Sequence, residues 1–105
     1  MIEEIDYTYK ETNNYQGTIK EAGGYVFLHL EVKKMTPSVY KEMKLLFKEV
    51  CEHFADKGHE LIFSTISSPK TLKMCYKIGS PYDVKEINDY GTKYWVVAWE
   101  TGLEV

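Results

Sequence analysis

The chain has 105 residues, of which 44% are hydrophobic and 28% charged, and its formal net charge at pH 7 is -3. This composition is too apolar for a disordered chain and fits a single globular domain over residues 1–105. All basic residues are lysine, because the sequence contains no arginine. A negative chain without the guanidinium fork is a poor candidate for binding nucleic acid.

No segment of the sequence is typical of a membrane span or a secretory signal. The longest apolar run, Tyr94 to Trp99, is too short to cross a bilayer. The first six residues include three acidic ones and lack an apolar stretch. We therefore expect a soluble cytoplasmic protein whose partner is neither a membrane nor a nucleic acid.

The first third of the chain predicts three strands. Alternating side chains over Ile2 to Lys10 favour a half-buried strand, and the polar stretch Glu11 to Gln16 favours a loop. A short strand over Gly17 to Glu21 then meets a strand over Tyr25 to Lys33. Gly23-Gly24 between them supplies the positive φ values of a tight hairpin.

A long helix is predicted from Pro37 to Lys57. Thr36 can cap it, and proline at the first helical position loses no needed hydrogen bond. Gly58 fits a left-handed C-cap. One apolar stripe at spacings of three and four indicates the side that faces the core: Val39, Met43, Leu46, Phe47, Val50 and Phe54.

The second half of the chain continues with strands around a shorter helix. A buried strand is predicted over Leu61 to Thr65, and Ser68-Pro69 begins a helix that Gly79 closes. A hairpin over Tyr82 to Asn88 and Lys93 to Glu100 follows.

The last strand of this hairpin is apolar on both faces between Tyr94 and Trp99. We therefore expect it inside a sheet that is covered on both sides.

These elements predict an α+β domain with a mixed sheet and the order β-β-β-α-β-α-β-β. We expect Tyr25–Lys33 to pair in parallel with Leu61–Thr65, with right-handed helical crossovers between the parallel neighbours in the middle. The long helix should cover one face, with the second helix on the other face or beside the first.

The cysteines and histidines predict no metal site. Cys51 and Cys75 are expected to be reduced, partly buried apolar residues, although a disulfide between them stays open. His29, His53 and His59 show no ligand spacing with either cysteine or with each other, so surface positions are expected.

The segment from Ser67 to Gly79 carries a family resemblance. A short helix that contains Tyr76 and ends at Gly79, placed before the last two strands, resembles the distal half of a GNAT-type N-acetyltransferase. The resemblance covers roughly Gly17 to Glu100 and implies a GNAT-like core without the N-terminal helix pair. Small degenerate proteins of this kind occur in bacteriophages and mobile elements.

The resemblance fails at the loop that should bind acetyl-CoA. The family has a glycine-rich loop after the strand that corresponds to Tyr25–Lys33, and its amides hold the pyrophosphate. Residues 33–40 here contain no glycine, and Pro37 removes one amide donor. If the chain is an enzyme, Lys33, Lys34 and Ser38 are the candidate cofactor contacts.

The same resemblance implies two candidate catalytic residues. Tyr76 would act as general acid toward the leaving thiolate, and Glu31 would accept the proton of the amine. The structural alternatives are that Tyr76 packs with Leu72 under the sheet and that Glu31 is a solvated strand residue. The sequence Gly79-Ser80-Pro81-Tyr82 also departs from the family's usual Gly-Phe pair.

Two functions therefore stay open. The first is a non-catalytic acetyltransferase-like protein without a cofactor, which binds another protein or forms a homodimer. Such a protein is expected to be a modulator or inhibitor of a host protein or a virion component. The alternative is a minimal acetyl-CoA-dependent N-acetyltransferase. The missing phosphate loop favours the first, and the nine tyrosines suit a contact surface.

Overall fold

The computed structural model describes residues 4–103, which form a six-stranded mixed sheet and two helices in the predicted order. The elements are β1 Glu4–Glu11, β2 Tyr15–Ala22, β3 Tyr25–Val32, α1 Pro37–Asp56, β4 Leu61–Ile66, α2 Pro69–Ile78, β5 Asp83–Asp89 and β6 Thr92–Glu100.

The strands lie in the order β1-β2-β3-β4-β6-β5. The predicted parallel pairing of β3 with β4 is confirmed, and the other neighbours are antiparallel. Within the described residues, β3 and β4 pair only at Phe27 and Phe63, whereas β4 and β6 pair over six positions. The shortest stretch of backbone pairing in the sheet, here called the seam, therefore lies at its centre between β3 and β4.

Both predicted hairpins are present and turn through left-handed residues. Gly23 and Gly24 have φ values of 59° and 84° between β2 and β3. Tyr90 and Gly91 have φ values of 50° and 82° between β5 and β6. This pair of positive φ angles matches the right-handed twist of the flanking strands.

The predicted loop over Glu11 to Gln16 is wrong at both ends. β1 extends to Glu11 and β2 begins at Tyr15, whose side chain is fully buried. The Thr12 hydroxyl accepts hydrogen bonds from the amides of Asn14 and Tyr15 at 3.2 and 3.1 Å, which closes a shorter turn. The predicted start of β1 at Ile2 lies outside the described residues.

The long helix confirms its sequence signals. The Thr36 hydroxyl accepts a hydrogen bond from the Val39 amide at 3.2 Å, and Gly58 has a φ of 91° just beyond the C-terminus. Every residue of the predicted apolar stripe is buried, and Cys51 joins it. The helix is therefore held by one continuous apolar side.

The second helix lies beside the first, which is one of the two predicted arrangements. The Tyr40 hydroxyl of α1 donates a hydrogen bond to the Lys77 carbonyl of α2 at 2.7 Å. Cys75 and Ile78 of α2 belong to the same buried core as the stripe of α1. Both helices therefore cover the same side of the sheet, here called the helix-covered face.

The expectation that β6 is covered on both sides is wrong for the described residues. Val97 and Trp99 point to the helix-covered face and are buried. Tyr94 and Val96 alternate with them and point to the opposite side, where no element of residues 4–103 lies. We call this second side the open face.

Candidate functional site

A cleft opens where β3 and β4 diverge. Beyond the Phe27–Phe63 pair, the two strands separate around a cavity of about 270 Å³. The Ser64 hydroxyl donates a buried hydrogen bond to the Leu28 carbonyl at 2.7 Å, which bridges the two strands at the start of the gap. Residues 28–32 line one wall and residues 64–68 the other, with Met74, Cys75 and Ile78 of α2 beneath them.

The cleft continues into a larger groove of about 980 Å³ between the end of β3, the start of α1 and α2. We call it the lysine groove. Its apolar lining includes Leu30, Val32, Met35, Pro37, Tyr40 and Met74. Its charged lining, within residues 4–103, consists of Lys33, Lys70, Lys73 and Lys77, and none of these described lining residues is acidic.

Three of these lysines form a stripe on one side of α2. Lys70, Lys73 and Lys77 stand at i, i+3 and i+7, which places them in a row on a helix. Among residues 4–103, the ion pairs are Lys20 with Glu4 and Lys93 with Glu86, so the groove lysines have no carboxylate partner among these residues. Lys70 also lies in the first turn of α2, which has no acidic residue and where the helix dipole disfavours a cation.

The start of α1 offers few amides to a phosphate. The amides of Lys33 and Lys34 both donate to the Asn14 carbonyl, at 2.8 and 3.2 Å. The Val39 amide is bonded to Thr36, and Pro37 has no amide hydrogen. Ser38 is then the one residue of the first turn, among those described, whose amide is not taken. One amide cannot form the cradle that a pyrophosphate requires.

The predicted cofactor and catalytic residues do not converge on one point. Glu31 lines the cleft, and Lys33 lines the lysine groove. Lys34, Ser38 and Tyr76 are exposed, and none of the three belongs to the described lining of either space.

The structure corrects one expectation at Tyr76 and explains Gly79. Tyr76 does not pack under the sheet with Leu72, because it is 53% exposed on the outer side of α2. Gly79 ends the helix in an extended conformation, with a φ of -168°. A Cβ atom there would lie 2.7 Å from Cε1 of Phe47, so the glycine permits a close approach of α2 to α1.

The two thiols are free and buried, as expected. Burial raises the pKa of Cys51 to about 11, with a further contribution from the charge of Glu52. Burial alone raises the pKa of Cys75 to about 11. Thiols that stay protonated at neutral pH are poor nucleophiles.

Within residues 4–103, no group of three or more histidine, cysteine or acidic side chains could hold a metal ion. Neither described helix combines the length and apolar character needed to cross a membrane.

The fold has a counterpart among solved structures. The chain is similar to the crystal structure of a protein from Agrobacterium tumefaciens named as a putative acetyltransferase, with a TM-score of 0.55. The sequences are 10% identical, and the match covers 94% of this chain and 75% of that one. No family model and no curated protein matches the sequence. The mixed sheet and its two helices therefore define a GNAT-like, acetyltransferase-like fold.

Sequence reasoning missed the lysine stripe. The spacing of Lys70, Lys73 and Lys77 was a signal within the predicted helix. Their meeting with Lys33 depends on the position of α2 next to the end of β3, which the sequence alone did not specify.

Proposed function

We propose that this protein is a non-catalytic binding domain with an acetyltransferase-like fold, which holds an acidic segment of another protein in the lysine groove. The observation that carries the proposal is the groove itself, with four lysines around an apolar floor and no acidic side chain among its described lining residues. A segment that alternates carboxylates with apolar side chains fits both features of this surface.

The occupied amides at the start of α1 support a binding function over catalysis. Much of the affinity for acetyl-CoA would have to come from amides around its pyrophosphate, and those of Lys33 and Lys34 are bonded to Asn14. The remaining attraction would come from exposed lysines, which is weak and sensitive to salt. The exposed position of Tyr76 outside the described groove adds to this argument.

We also propose a biological setting for this binding function. The resemblance to bacteriophage and mobile-element proteins favours a cytoplasmic modulator or inhibitor of a host protein, or a virion component. An acidic host protein is the partner class that the groove would select.

The binding test uses a fluorescein-labelled peptide that alternates glutamate with leucine, followed by fluorescence anisotropy at 0.15 M salt. A peptide with glutamine in place of glutamate is the control for apolar binding. We expect saturable binding of the acidic peptide and none of the neutral one.

Matched lysine variants distinguish binding in the groove from attraction by the net charge of the protein. The triple change Lys70→Gln, Lys73→Gln and Lys77→Gln is expected to weaken binding about tenfold, since three exposed ion pairs at about 0.5 kcal/mol each are lost. The control replaces Lys10, Lys57 and Lys85 by glutamine, which changes the net charge equally away from the groove. Equal weakening by both triples would show that only net charge matters and would contradict the proposal.

Calorimetry with acetyl-CoA tests the enzymatic alternative. We expect no binding with cofactor at about 100 μM and 0.15 M salt, where a typical enzyme would be largely occupied by its substrate. Saturable binding, together with acetyl transfer that Tyr76→Phe abolishes, would replace the proposal by the N-acetyltransferase.

A further inference from the structure

The open face carries an apolar patch at the centre of the sheet. Phe27 of β3, Phe63 of β4 and Ala98 of β6 are neighbours in one row, and Tyr25 and Val96 flank them. Tyr25 is 58% exposed, and its ring meets the Phe63 ring edge to face at 5.7 Å between centroids. No element of residues 4–103 covers this patch.

The size of the open face matches an interface between two protein chains. Six strands about 4.8 Å apart and about eight residues long, at about 3.3 Å per residue, give a face of roughly 750 Å². A stable interface buries about 800 Å² on each partner. Five adjacent strands of this face, which span roughly 630 Å² by the same dimensions, already come close to the area that one partner with a flat surface of the same kind would cover.

The order of residues in the central row indicates which partner fits. From β2 to β5 the row reads Lys20, Phe27, Phe63, Ala98 and Asp83. Phe63 lies in the middle of the row. One strand away on either side are the large Phe27 and the small Ala98. Two strands away on either side are the cation Lys20 and the anion Asp83. A row of this kind is complementary to itself after a two-fold rotation about β4.

We propose that the protein forms a two-fold homodimer in which the open faces of two copies pack against each other with the axis close to β4. Phe63 then meets the partner's Phe63, Phe27 lies over the partner's Ala98, and Lys20 lies over the partner's Asp83. Two sheets stacked in this way have nearly aligned strands about 10 Å apart, which is a common packing of twisted sheets.

The next row of the face agrees with the same axis. By register, Tyr25 of β3 and Glu100 of β6 flank Leu61 of β4. The rotation places the Tyr25 hydroxyl near the partner's Glu100 carboxylate, where it can donate a hydrogen bond.

A neighbouring axis is disfavoured by charge. Asp6 of β1 pairs with Lys20 and extends the central row by one strand. An axis between β3 and β4 would place Asp6 over the partner's Asp83 and Lys20 over the partner's Ala98. Like charges would then face each other and Lys20 would have no opposite charge, so the axis along β4 is favoured.

Sedimentation velocity between about 1 and 500 μM gives the first test. We expect a species of twice the 12.3 kDa chain mass for the unchanged protein, and a monomer for Phe63→Asp. The matched control is Leu45→Asp, which places the same charge on an apolar residue that is 63% exposed on α1, and it should stay dimeric. A monomer at every concentration, or equal effects of the two variants, would overturn the proposal.

Charge exchange gives a test that does not depend on the stability of the Phe63 variant. Lys20→Asp and Asp83→Lys should each raise the dimer dissociation constant at least tenfold, because a symmetric interface contains the contact twice. The double variant should return to within about threefold of the unchanged protein.

The Glu4→Gln variant controls for the ion pair that Lys20 makes within its own chain, at 3.0 Å. It should leave the dimer unchanged. A double variant that is as weak as either single variant, or a Glu4→Gln protein that dissociates like Lys20→Asp, would overturn the assignment of Lys20 to the partner's Asp83.

Discussion

The helix-covered face and the open face of the sheet are formed by alternate residues of the same strands, and both are apolar at their centres. On the helix-covered face, Val97 has no exposed surface and Trp99 has 4%. On the open face, Val96 and Phe63 keep part of their surface in water. The same strand chemistry therefore stabilises the fold on one side and leaves a contact surface on the other.

The largest expected effect is at the centre of the helix-covered face. Phe47→Ala should lower the free energy of unfolding by about 3–5 kcal/mol, since a buried ring is replaced by a cavity. Urea unfolding followed by tryptophan fluorescence measures it. Leu45→Ala, two residues away on the exposed side of α1, is the control and should change stability by about 0.5 kcal/mol or less. A loss under about 1 kcal/mol at Phe47 would mean that its ring does not pack in the core beneath α1.

Gly79→Ala tests how closely the two helices pack on that face. The added methyl group would meet the Phe47 ring at 2.7 Å, so we expect a loss of about 1–3 kcal/mol from overpacking. Adding Phe47→Leu in the same chain should cost less than the sum of the two single changes, because the smaller side chain makes room. Additive losses would show that Gly79 and Phe47 do not share a contact.

Adjacent residues of β6 allow a direct comparison of the faces. Val97→Thr should cost about 1–3 kcal/mol, since a hydroxyl enters the core without an assigned partner. Val96→Thr makes the same change on the open face and should cost less than about 0.5 kcal/mol. The measurement is chemical unfolding at a low protein concentration, where the proposed dimer is dissociated. Equal losses of stability in the two variants would mean that the two faces do not differ in burial at these positions.

A further effect concerns pH, and it arises from thiols on the helix-covered side. Burial raises the pKa of Cys51 and of Cys75 from 9.0 to about 11 in the folded state. Between these values the unfolded chain binds fewer protons than the folded chain, so stability falls as the pH rises from about 9 to 11. Unfolding curves of the unchanged protein and of a Cys51→Ala, Cys75→Ala variant should diverge over this range. Parallel pH profiles would mean that the thiols are accessible to water.

The sequence predicted the order of elements because each helix and strand has a strong local signal. Thr36-Pro37 and the apolar stripe define α1 without reference to the rest of the fold. Tyr15 was missed because the polar residues 12–14 before it indicate a loop, whereas its burial depends on strand pairing with Val32.

The positions of the site and of the open face were harder to predict for a related reason. The apolar residues on both sides of β6 predict burial, but they do not say whether a helix or another chain provides it. The lysine groove depends on where α2 packs, and the close approach at Gly79 that fixes this position is a tertiary contact. Local periodicity contains no information about where α2 packs or about what covers the second side of β6.

The short seam between β3 and β4 has a consequence for how the domain opens. Strands β1, β2 and β3 form one antiparallel unit, and β4, β6 and β5 form another, with Phe27 and Phe63 as the described backbone pair between them. We expect backbone amides at this junction to exchange with solvent through a local separation of the two units, at a lower free energy than global unfolding. Hydrogen exchange should therefore divide the sheet into two cooperative blocks, with the fastest core amides along the walls of the cleft.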